Sequence, residues 1–365
     1  MNDQGINKDS QDLRIDHIDP LKTPAEIARL YPVTEEARAR IASYREQVNA
    51  IIRGDDGRML AVIGPCSIHD PEAALDYARR LKDLSEKVKD TFLIVMRTYF
   101  EKPRTSLGWK GLIVDPDMDD SSDVEKGISI ARKLLLDITG IGLPVGCEVL
   151  DPIIPQYTDE LMSWSSIGAR TTESQTHRSL ASGLSVAVGF KNATSGDLSA
   201  AINAIKSASA PASFIGIRRD GKLAVYRSSG NDSCHLILRG GENGPNYYED
   251  DVEDARKAME KAGLQPRLLI DCSHQNSAKD YRRQKRVLRS VVDQVRWGEK
   301  VIRGFMLESN IKEGNQKIPQ DRSKLEYGVS VTDACIGWEE TERIVLHAAA
   351  LIAEAKRNGG RMEIL

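Results

Sequence analysis

The sequence predicts an α/β protein: a (β/α)8 TIM barrel with an N-terminal extension and an inserted antiparallel β-hairpin. Eight short apolar segments alternate with longer amphipathic segments, which is typical of parallel strands connected by helices. The apolar segments are continuous, as expected for strands that are buried on both faces. Eight such strands favour a closed barrel, and a doubly wound open sheet is the alternative.

Residues 1–55 form the predicted N-terminal extension. Residues 1 to about 11 are polar and are predicted to be disordered, and TPAEIARLYP and TEEARARIASYREQVNAIIRG predict two helices. Thr34, followed by acidic residues, suits the start of the second helix, and Gly54 suits its end. The barrel is predicted over residues 56–365.

The predicted barrel strands are MLAVIGPCS, FLIVMRTYF, LPVGCEVL, WSSIGART, LSVAVGFKN, HLILRGG, RLLIDCSH and VIRGFMLES. PEAALDYARRLKDLSEKV, VEKGISIARKLLLDIT and GDLSAAINAIKSA have the spacing of amphipathic helices. One segment departs from the alternation: SFIGIRRDGKLAVYRSSG has two β-type runs around Asp220-Gly221, a dipeptide that is common in hairpin turns. It predicts an added hairpin at about residues 212–228.

Composition excludes several classes of protein. The formal net charge of the 365 residues is −3 and only 5% are aromatic, which disfavours nucleic acid as a partner. No apolar stretch is long enough to span a membrane, and the start MNDQGINKDSQDLRIDHIDP lacks the pattern of a secretory signal. The five cysteines are widely spaced, which argues against a disulfide framework. We therefore predict a cytoplasmic protein without membrane or nucleic-acid partners.

Polar or charged side chains stand at the carboxyl end of every predicted strand. In chain order they are Cys66, Arg97, Glu148, Arg170, Lys191, Arg239, His274 and Glu308. In a barrel these ends open on one face, where the loops build the active site. Each residue alone has a structural explanation, such as a small buried thiol or a solvated charge. Eight in succession predict a functional site.

Four residues at strand ends and in the last loop carry side chains that bind metals: Cys66, His274, Glu308 and Asp333. One sulfur, one nitrogen and two oxygen donors suit one divalent transition metal ion, such as manganese, iron, cobalt or zinc. His69 and Cys335 are competing donors of lower rank. For Cys66 alone, packing would be the better explanation.

A second set of residues on the same face is cationic: Arg97, Lys102, Arg104, Arg170, Lys191 and Arg239. So many cations would repel each other unless they bind anions, and guanidinium groups bind carboxylate and phosphate bidentately. Pro103 stiffens the loop RTYFEKPRTSLGWKG, which carries several of them. We predict a substrate with more than one anionic group, phosphates in particular. A solvated charged loop is the alternative.

Several long motifs occur in the order found in a known family: GPCSIHD, RTYFEKPRTSLGWKGL, MSWSSIGARTTESQTHRSLASGLS, VGFKN, ILRGG, DCSHQNS, LESNI, EGNQ and VTDACIGW. From about Asp12 to the C-terminal helix, the chain resembles the type I 3-deoxy-D-arabino-heptulosonate-7-phosphate (DAHP) synthases of aromatic amino-acid (shikimate) biosynthesis. The resemblance implies a TIM barrel with an N-terminal extension and an added hairpin. It also implies a metal-dependent condensation of phosphoenolpyruvate with erythrose 4-phosphate that releases phosphate.

The resemblance further implies roles for individual residues. The metal ligands would be Cys66, His274, Glu308 and Asp333. Phosphoenolpyruvate would be bound by Arg97, Lys102, Arg170, Lys191 and Arg239, near Gly168, Ala169 and Glu148. Erythrose 4-phosphate would lie on Lys102, Pro103, Arg104 and Thr105. Glu148, or in second place His274, would position or deprotonate the attacking water, and Lys102 would help to protonate the carbonyl oxygen.

In feedback-inhibited members of the family, an aromatic amino acid binds beside the hairpin, in a cavity closed by the N-terminal segment of a neighbouring subunit. The matching positions are Asp12, Ile15, Pro155, Gln156, Leu180, Leu184, Phe214 and Gly216. In the family pattern, glycine at position 216 accompanies tyrosine sensitivity and serine accompanies phenylalanine sensitivity. We therefore expect tyrosine as the effector, with phenylalanine or tryptophan as alternatives, and a homodimer or homotetramer.

Two features depart from that pattern: Gln11 stands where a second acidic residue often precedes Asp12, and the hairpin sequence IRR (217–219) is unusual. For Leu180, Leu184 and Phe214, ordinary core packing is the alternative. Two other functions stay open: a 3-deoxy-octulosonate 8-phosphate synthase acting on arabinose 5-phosphate, and a metabolite sensor without catalysis. The KPRTSLGWKG loop argues against the first, and the presence of all four ligand residues argues against the second.

Overall fold

The computed structural model describes residues 12–104 and 108–358. Its strands are β1 (Met59–Gly64), β2 (Phe92–Arg97), β3 (Val145–Glu148), β4 (Trp164–Ile167), β5 (Ala187–Lys191), β6 (Ser213–Ile217), β7 (Leu223–Arg227), β8 (His235–Leu238), β9 (Leu268–Asp271) and β10 (Ile302–Glu308). Eight of them close into a parallel barrel in the order β1-β10-β9-β8-β5-β4-β3-β2. Each predicted apolar segment contains one of these strands. The closed barrel is confirmed, and the open sheet is excluded.

Helices connect the strands and cover the barrel. They are α1 (Pro24–Leu30), α2 (Glu35–Arg53), α3 (Pro71–Val88), α4 (Val124–Ile141), α5 (Pro155–Thr158), α6 (Gln175–Ala181), α7 (Ser199–Ala208), α8 (Glu249–Lys261), α9 (Gln284–Arg296) and α10 (Trp338–Arg357). Short 3-10 helices cover Asp159–Leu161, Tyr281–Arg283 and Arg322–Lys324. Within the described part of the chain, no helix is both long and apolar enough to cross a membrane.

Local hydrogen bonds explain why the helices begin and end where the sequence predicts. At the start of α2, the backbone N–H of Ala37 donates to Thr34 Oγ1 at 3.2 Å. Asp70 accepts in the same way from the first turn of α3, which satisfies N–H groups that have no partner inside the helix. α2 ends at Gly54, whose φ of +90° is a left-handed conformation that glycine adopts without strain.

The N-terminal extension shares its core with the barrel. Val48, Ile51 and Ile52 of α2 are fully buried and pack in one cluster with residues from the starts of the barrel strands, including Leu60 and Leu269. α2 therefore covers the end of the barrel opposite the carboxyl ends of the strands. The proposed division at residues 55 and 56 stays a prediction.

β6 and β7 form the separate antiparallel hairpin, so this prediction is also confirmed. Phe214 lies opposite Tyr226, and their rings stack with centroids 5.6 Å apart. The turn contains Gly221 with φ of +81°. The inner face of the hairpin packs against the protein, whereas Ile215, on the other face, remains exposed.

Candidate active site

The carboxyl-end face of the barrel collects the predicted metal-binding side chains. β1 pairs with β10, and Gly64 lies opposite Glu308, so Cys66 follows β1 close to that carboxylate. One ligand atom each from Cys66, Glu308 and Asp333 lies within 4.8 Å of the other two. Among the described residues, these three side chains form the group that could hold a metal ion.

Lys102 shows that this anionic group attracts a cation. Its Nζ lies 2.7 Å from Cys66 Sγ and 3.1 Å from Asp333 Oδ2. Burial, followed by the charge of Glu308, raises the pKa of the Cys66 thiol to about 12. Although burial opposes it, the charge of Lys102 lowers the pKa of Asp333. A divalent ion would supply the charge that converts such a thiol to the thiolate, so the donor set fits a metal.

His274 lies beside this group but outside the set of mutually close ligand atoms. Its Nδ1 is 2.7 Å from Ser273 Oγ and 3.0 Å from Asp271 Oδ2. Because the Ser273 hydroxyl already donates to Asp271 Oδ1 at 2.6 Å, its oxygen accepts the Nδ1–H of His274. In the neutral ring, Nε2 then carries the lone pair. Metal-binding histidines commonly have this arrangement: one ring nitrogen donates its N–H to a neighbouring acceptor, and the other nitrogen binds the metal.

Two of the predicted cations are buried and held by carboxylates. Arg97 is 1% exposed; its Nη2 lies 3.0 Å from Glu308 Oε1, and its guanidinium lies 4.1 Å from the centroid of the Tyr99 ring. Lys191 Nζ lies 3.0 Å from Asp271 Oδ2. Arg97 Nη1 is buried without a hydrogen-bond partner among the described residues, so it can still donate to an anion.

Arg239 and Arg170 add positive charge at the neighbouring strand ends. Burial, with a contribution from the charge of Arg170, lowers the pKa of Arg239.

Gly168, with Ala169 between it and Arg170, lies against the carboxylate of Glu148: a Cβ atom at Gly168 would lie 2.4 Å from Glu148 Oε1. Only glycine therefore allows this carboxylate to approach the backbone so closely.

The loop after β2 carries the remaining residues that are predicted to bind substrate. Lys102 and Pro103 are half-buried, and Arg104 is exposed, with its Nε donating to Trp109 O at 2.8 Å. Thr105 lies outside the described residues. The structure therefore places the described part of this predicted phosphate-binding loop at the same face as Cys66, Glu308 and Asp333.

Two buried carboxylates at this face, Asp271 and Glu101, were not predicted from the sequence. Asp271 is fully buried, and despite that burial Lys191 and His274 hold its pKa well below the usual range. Burial, followed by the charge of Asp151, raises the pKa of Glu101 to about 8. A charged residue inside the apolar segment RLLIDCSH was the available signal for Asp271.

A second site, the hairpin cavity, lies between the inner face of the hairpin and α6. It has a volume of about 180 Å³ and is lined by Pro155, Gln156, Asp159, Glu160, Leu180, Gly183, Leu184, Phe214, Arg219, Tyr226, Arg227 and Ser228. Five of the eight predicted effector positions are in this lining. A Cβ atom at Gly216 would lie 3.0 Å from the Tyr226 ring, whereas Asp12 and Ile15, in the N-terminal segment, do not line the cavity of their own chain.

Comparisons with known proteins identify similar chains over most of this length. A family model described as the DAHP synthetase I family matches residues 31–346. The phospho-2-dehydro-3-deoxyheptonate aldolase, Tyr-sensitive, of Escherichia coli (strain K12) is 56% identical over 325 residues, which are 89% of this chain and 91% of that protein. The Phe-sensitive enzyme of the same strain is 51% identical over 344 residues, 94% of this chain and 98% of that protein.

A solved structure supports the same grouping. The phospho-2-dehydro-3-deoxyheptonate aldolase from Francisella tularensis SCHU S4 superposes with a TM-score of 0.91 at 44% sequence identity. The match covers 93% of this chain and 98% of that one. The similarity therefore extends over nearly the whole length of both chains.

Proposed function

The chain belongs to the DAHP synthetase I family, and on this premise we propose how its residues condense phosphoenolpyruvate with erythrose 4-phosphate, releasing phosphate, as a 3-deoxy-7-phosphoheptulonate synthase. The observation that carries the proposal is the meeting, on one barrel face, of the Cys66, Glu308 and Asp333 group with the buried cations Arg97 and Lys191. The names of the relatives favour the heptulosonate reaction over the octulosonate alternative.

We assign one divalent metal ion to Cys66, Glu308 and Asp333, with His274 Nε2 as the fourth donor. The orientation of His274 by Ser273 supports this assignment. When bound, such an ion supplies a Lewis acid for the aldehyde oxygen of erythrose 4-phosphate. The mixed sulfur, nitrogen and oxygen donors suit manganese, iron, cobalt or zinc.

The cations of the face bind the anionic groups of both substrates. Arg97 and Lys191 lie deepest, beside Arg239 and Arg170, and suit the phosphate and carboxylate of phosphoenolpyruvate. Arg104 and Thr105 suit the phosphate of erythrose 4-phosphate. Holding both reactants on one face of the barrel replaces a bimolecular encounter by a reaction between oriented neighbours.

The chemistry then needs one proton donor and one group that activates water. The enol carbon of phosphoenolpyruvate forms a bond to the aldehyde carbon, and Lys102 protonates the resulting oxygen. Water adds to the cationic C2 carbon as Glu148 takes one of its protons; the C2–O bond to phosphate then breaks, and the remaining proton of the added water leaves with the phosphate as the C2 carbonyl forms. His274, the second candidate for this base, has no free ring nitrogen once Nε2 binds the metal. The approach of Glu148 to the Gly168 backbone supports its place beside bound phosphoenolpyruvate.

The hairpin cavity is the proposed site of feedback inhibition by an aromatic amino acid, with tyrosine favoured and phenylalanine or tryptophan as alternatives. Its apolar residues Leu180, Leu184 and Phe214 suit an aromatic side chain. Asp12 and Ile15 would close the cavity of a neighbouring subunit, which requires a homodimer or homotetramer.

Phosphate release by the purified protein tests the catalytic proposal. Phosphoenolpyruvate is supplied with erythrose 4-phosphate or with arabinose 5-phosphate, before and after EDTA treatment and after manganese is added back. We expect release that requires erythrose 4-phosphate, is lost with EDTA and returns with manganese. Release with arabinose 5-phosphate instead contradicts the substrate assignment, and no release with either sugar supports a sensor without catalysis.

A further inference from the structure

The hairpin cavity has an apolar wall and a charged wall. The apolar wall consists of Pro155, Leu180, Leu184 and Phe214. The charged wall consists of Asp159, Glu160, Arg219 and Arg227. A ligand that fits both walls has a bulky apolar part and carries a positive and a negative group at its other end, which describes a zwitterionic α-amino acid.

Glu160 already has its positive partners. Arg132 donates to Glu160 Oε1, and Arg219 and Arg38 lie 3.2 and 3.5 Å from Oε2. With three guanidinium groups around it, this carboxylate is neutralised inside the protein and has little left to offer a ligand cation.

Asp159 is the other carboxylate of the cavity, and no guanidinium group of the described residues donates to its Oδ1. Its Oδ1 is buried and accepts no hydrogen bond from any described residue. The nearby Arg45 donates instead to the backbone oxygens of Asp159 and Met162, at 2.6 and 2.9 Å. A buried acceptor without a donor is costly, so a ligand ammonium at this position gains a strong, charge-assisted hydrogen bond.

We propose that Asp159 binds the α-ammonium group of the amino acid effector in the hairpin cavity. This inference rests on the proposed function, which places an aromatic amino acid there. With the ammonium on Asp159 and the side chain against Leu180, Leu184 and Phe214, the carboxylate of the effector faces the cations of the cavity, Arg219 and Arg227. Asp159 therefore selects amino acids over aromatic acids that lack the amino group.

The first test compares ligands on the unaltered protein. Inhibition of phosphate release is measured with L-tyrosine and with 3-(4-hydroxyphenyl)propionate, which lacks only the ammonium group. We expect the deaminated compound to inhibit at least about tenfold more weakly, because it leaves Asp159 Oδ1 without a donor. If phenylalanine is the inhibitor instead, the same comparison uses 3-phenylpropionate. Equal inhibition by the two members of a pair overturns the inference.

The second test changes the protein. Asp159→Asn keeps the shape of the side chain and removes its charge; we expect tyrosine inhibition to weaken about tenfold to a hundredfold, with kcat and the KM values within about twofold. The two ligands should then inhibit this variant with similar strength. Asp220→Asn, in the hairpin turn and outside the cavity lining, is the matched control and should retain full inhibition.

Different outcomes would contradict the role of Asp159 and the proposal that an aromatic amino acid binds in the hairpin cavity. If tyrosine, phenylalanine and tryptophan neither bind nor inhibit the unaltered protein, the effector proposal fails, and the inference fails with it. If tyrosine inhibits Asp159→Asn as strongly as the unaltered protein, the cavity remains the effector site and only the role of Asp159 is wrong. Should Asp159→Asn not fold, the comparison of the two ligands still decides.

Discussion

The carboxyl-end face of the barrel and the hairpin cavity both collect charged side chains, but they balance those charges differently. At the barrel face, buried cations and carboxylates pair with each other, as Arg97 does with Glu308 and Lys191 with Asp271. In the hairpin cavity, Glu160 is surrounded by arginines, while Asp159 Oδ1 accepts no hydrogen bond from the part of the chain that the structure describes. The buried charges of the barrel face are therefore paired within the protein, whereas the proposed effector would complete the charge of the hairpin cavity.

The two regions also differ in how they are held. The barrel face is built on strand ends that are locked by the closed hydrogen-bond network of the sheet. The hairpin cavity is built on the barrel's exterior from a two-stranded hairpin, a 3-10 helix and α6. Changes at the first region should therefore abolish catalysis, and changes at the second should alter regulation while catalysis continues.

Removing a metal-ligand side chain should have the largest effect. In Cys66→Ala, we expect phosphate release to fall at least about a hundredfold and bound manganese to be lost, because the group loses its sulfur donor. Phosphate release and metal content measure these two consequences, and thermal unfolding checks that the barrel stays folded. The control is Cys234→Ala, which changes a buried thiol outside the ligand group. Full activity of Cys66→Ala without metal would show that the metal site is wrongly assigned.

Glu101 lies where the two regions approach each other, in a small cavity lined by both Glu148 and Pro155. Its folded-state pKa of about 8 exceeds the ordinary value of 4.5, so between these pH values the folded protein retains a proton that the unfolded chain has lost. Stability contributed by this proton is therefore present at low pH and lost as the pH rises toward 8.

Glu101→Gln, which cannot ionise, should remove this pH dependence. We expect the Tm of the variant to exceed that of the unaltered protein increasingly from about pH 5 to about pH 8, and the difference to level off above that. Thermal unfolding across this range measures it, with the exposed Glu35→Gln as control. Parallel curves for the two proteins would mean that Glu101 is ionised throughout.

The smallest expected effect on catalysis comes from Gly216→Ser. A Cβ atom there would lie 3.0 Å from the Tyr226 ring, so the hairpin wall must shift by a few tenths of an ångström. We expect tyrosine inhibition to weaken, phenylalanine inhibition to strengthen, and kcat to stay within about twofold. Inhibition curves with both amino acids are the measurement, and Gly57→Ser, with open space at its Cβ position, is the control. Unchanged inhibition curves would show that Gly216 does not determine which amino acid inhibits the protein.

Much of the fold could be predicted because its signals are local. The spacing of apolar residues determines strands and helices, and Thr34, Asp70 and Gly54 mark helix ends through hydrogen bonds and φ angles that involve only their neighbours. Closure of the eight strands then places Cys66 and Glu308 side by side, because β1 and β10 are adjacent. The proximity of Cys66 and Glu308 was predictable for this reason, and their role as metal ligands stays a prediction.

Contacts between distant residues were not predictable in this way. That Lys102 would lie against Cys66 and Asp333, and that Asp271 would hold Lys191, depends on loop paths and side-chain burial that no short-range pattern encodes. The same holds for the displacement of His274 from the three mutually close ligand atoms.

The sequence by itself determined the barrel, the inserted hairpin, the family and the types of side chain at the strand ends, because each follows from local periodicity or from long motifs in order. The tertiary structure alone decided which buried charged groups have a hydrogen-bonding partner: Arg97 and Lys191 contact carboxylates, whereas no described residue donates a hydrogen bond to Asp159 Oδ1. Pairing depends on distances of a few ångströms and on the exclusion of water, and both arise only when segments far apart in the chain pack together.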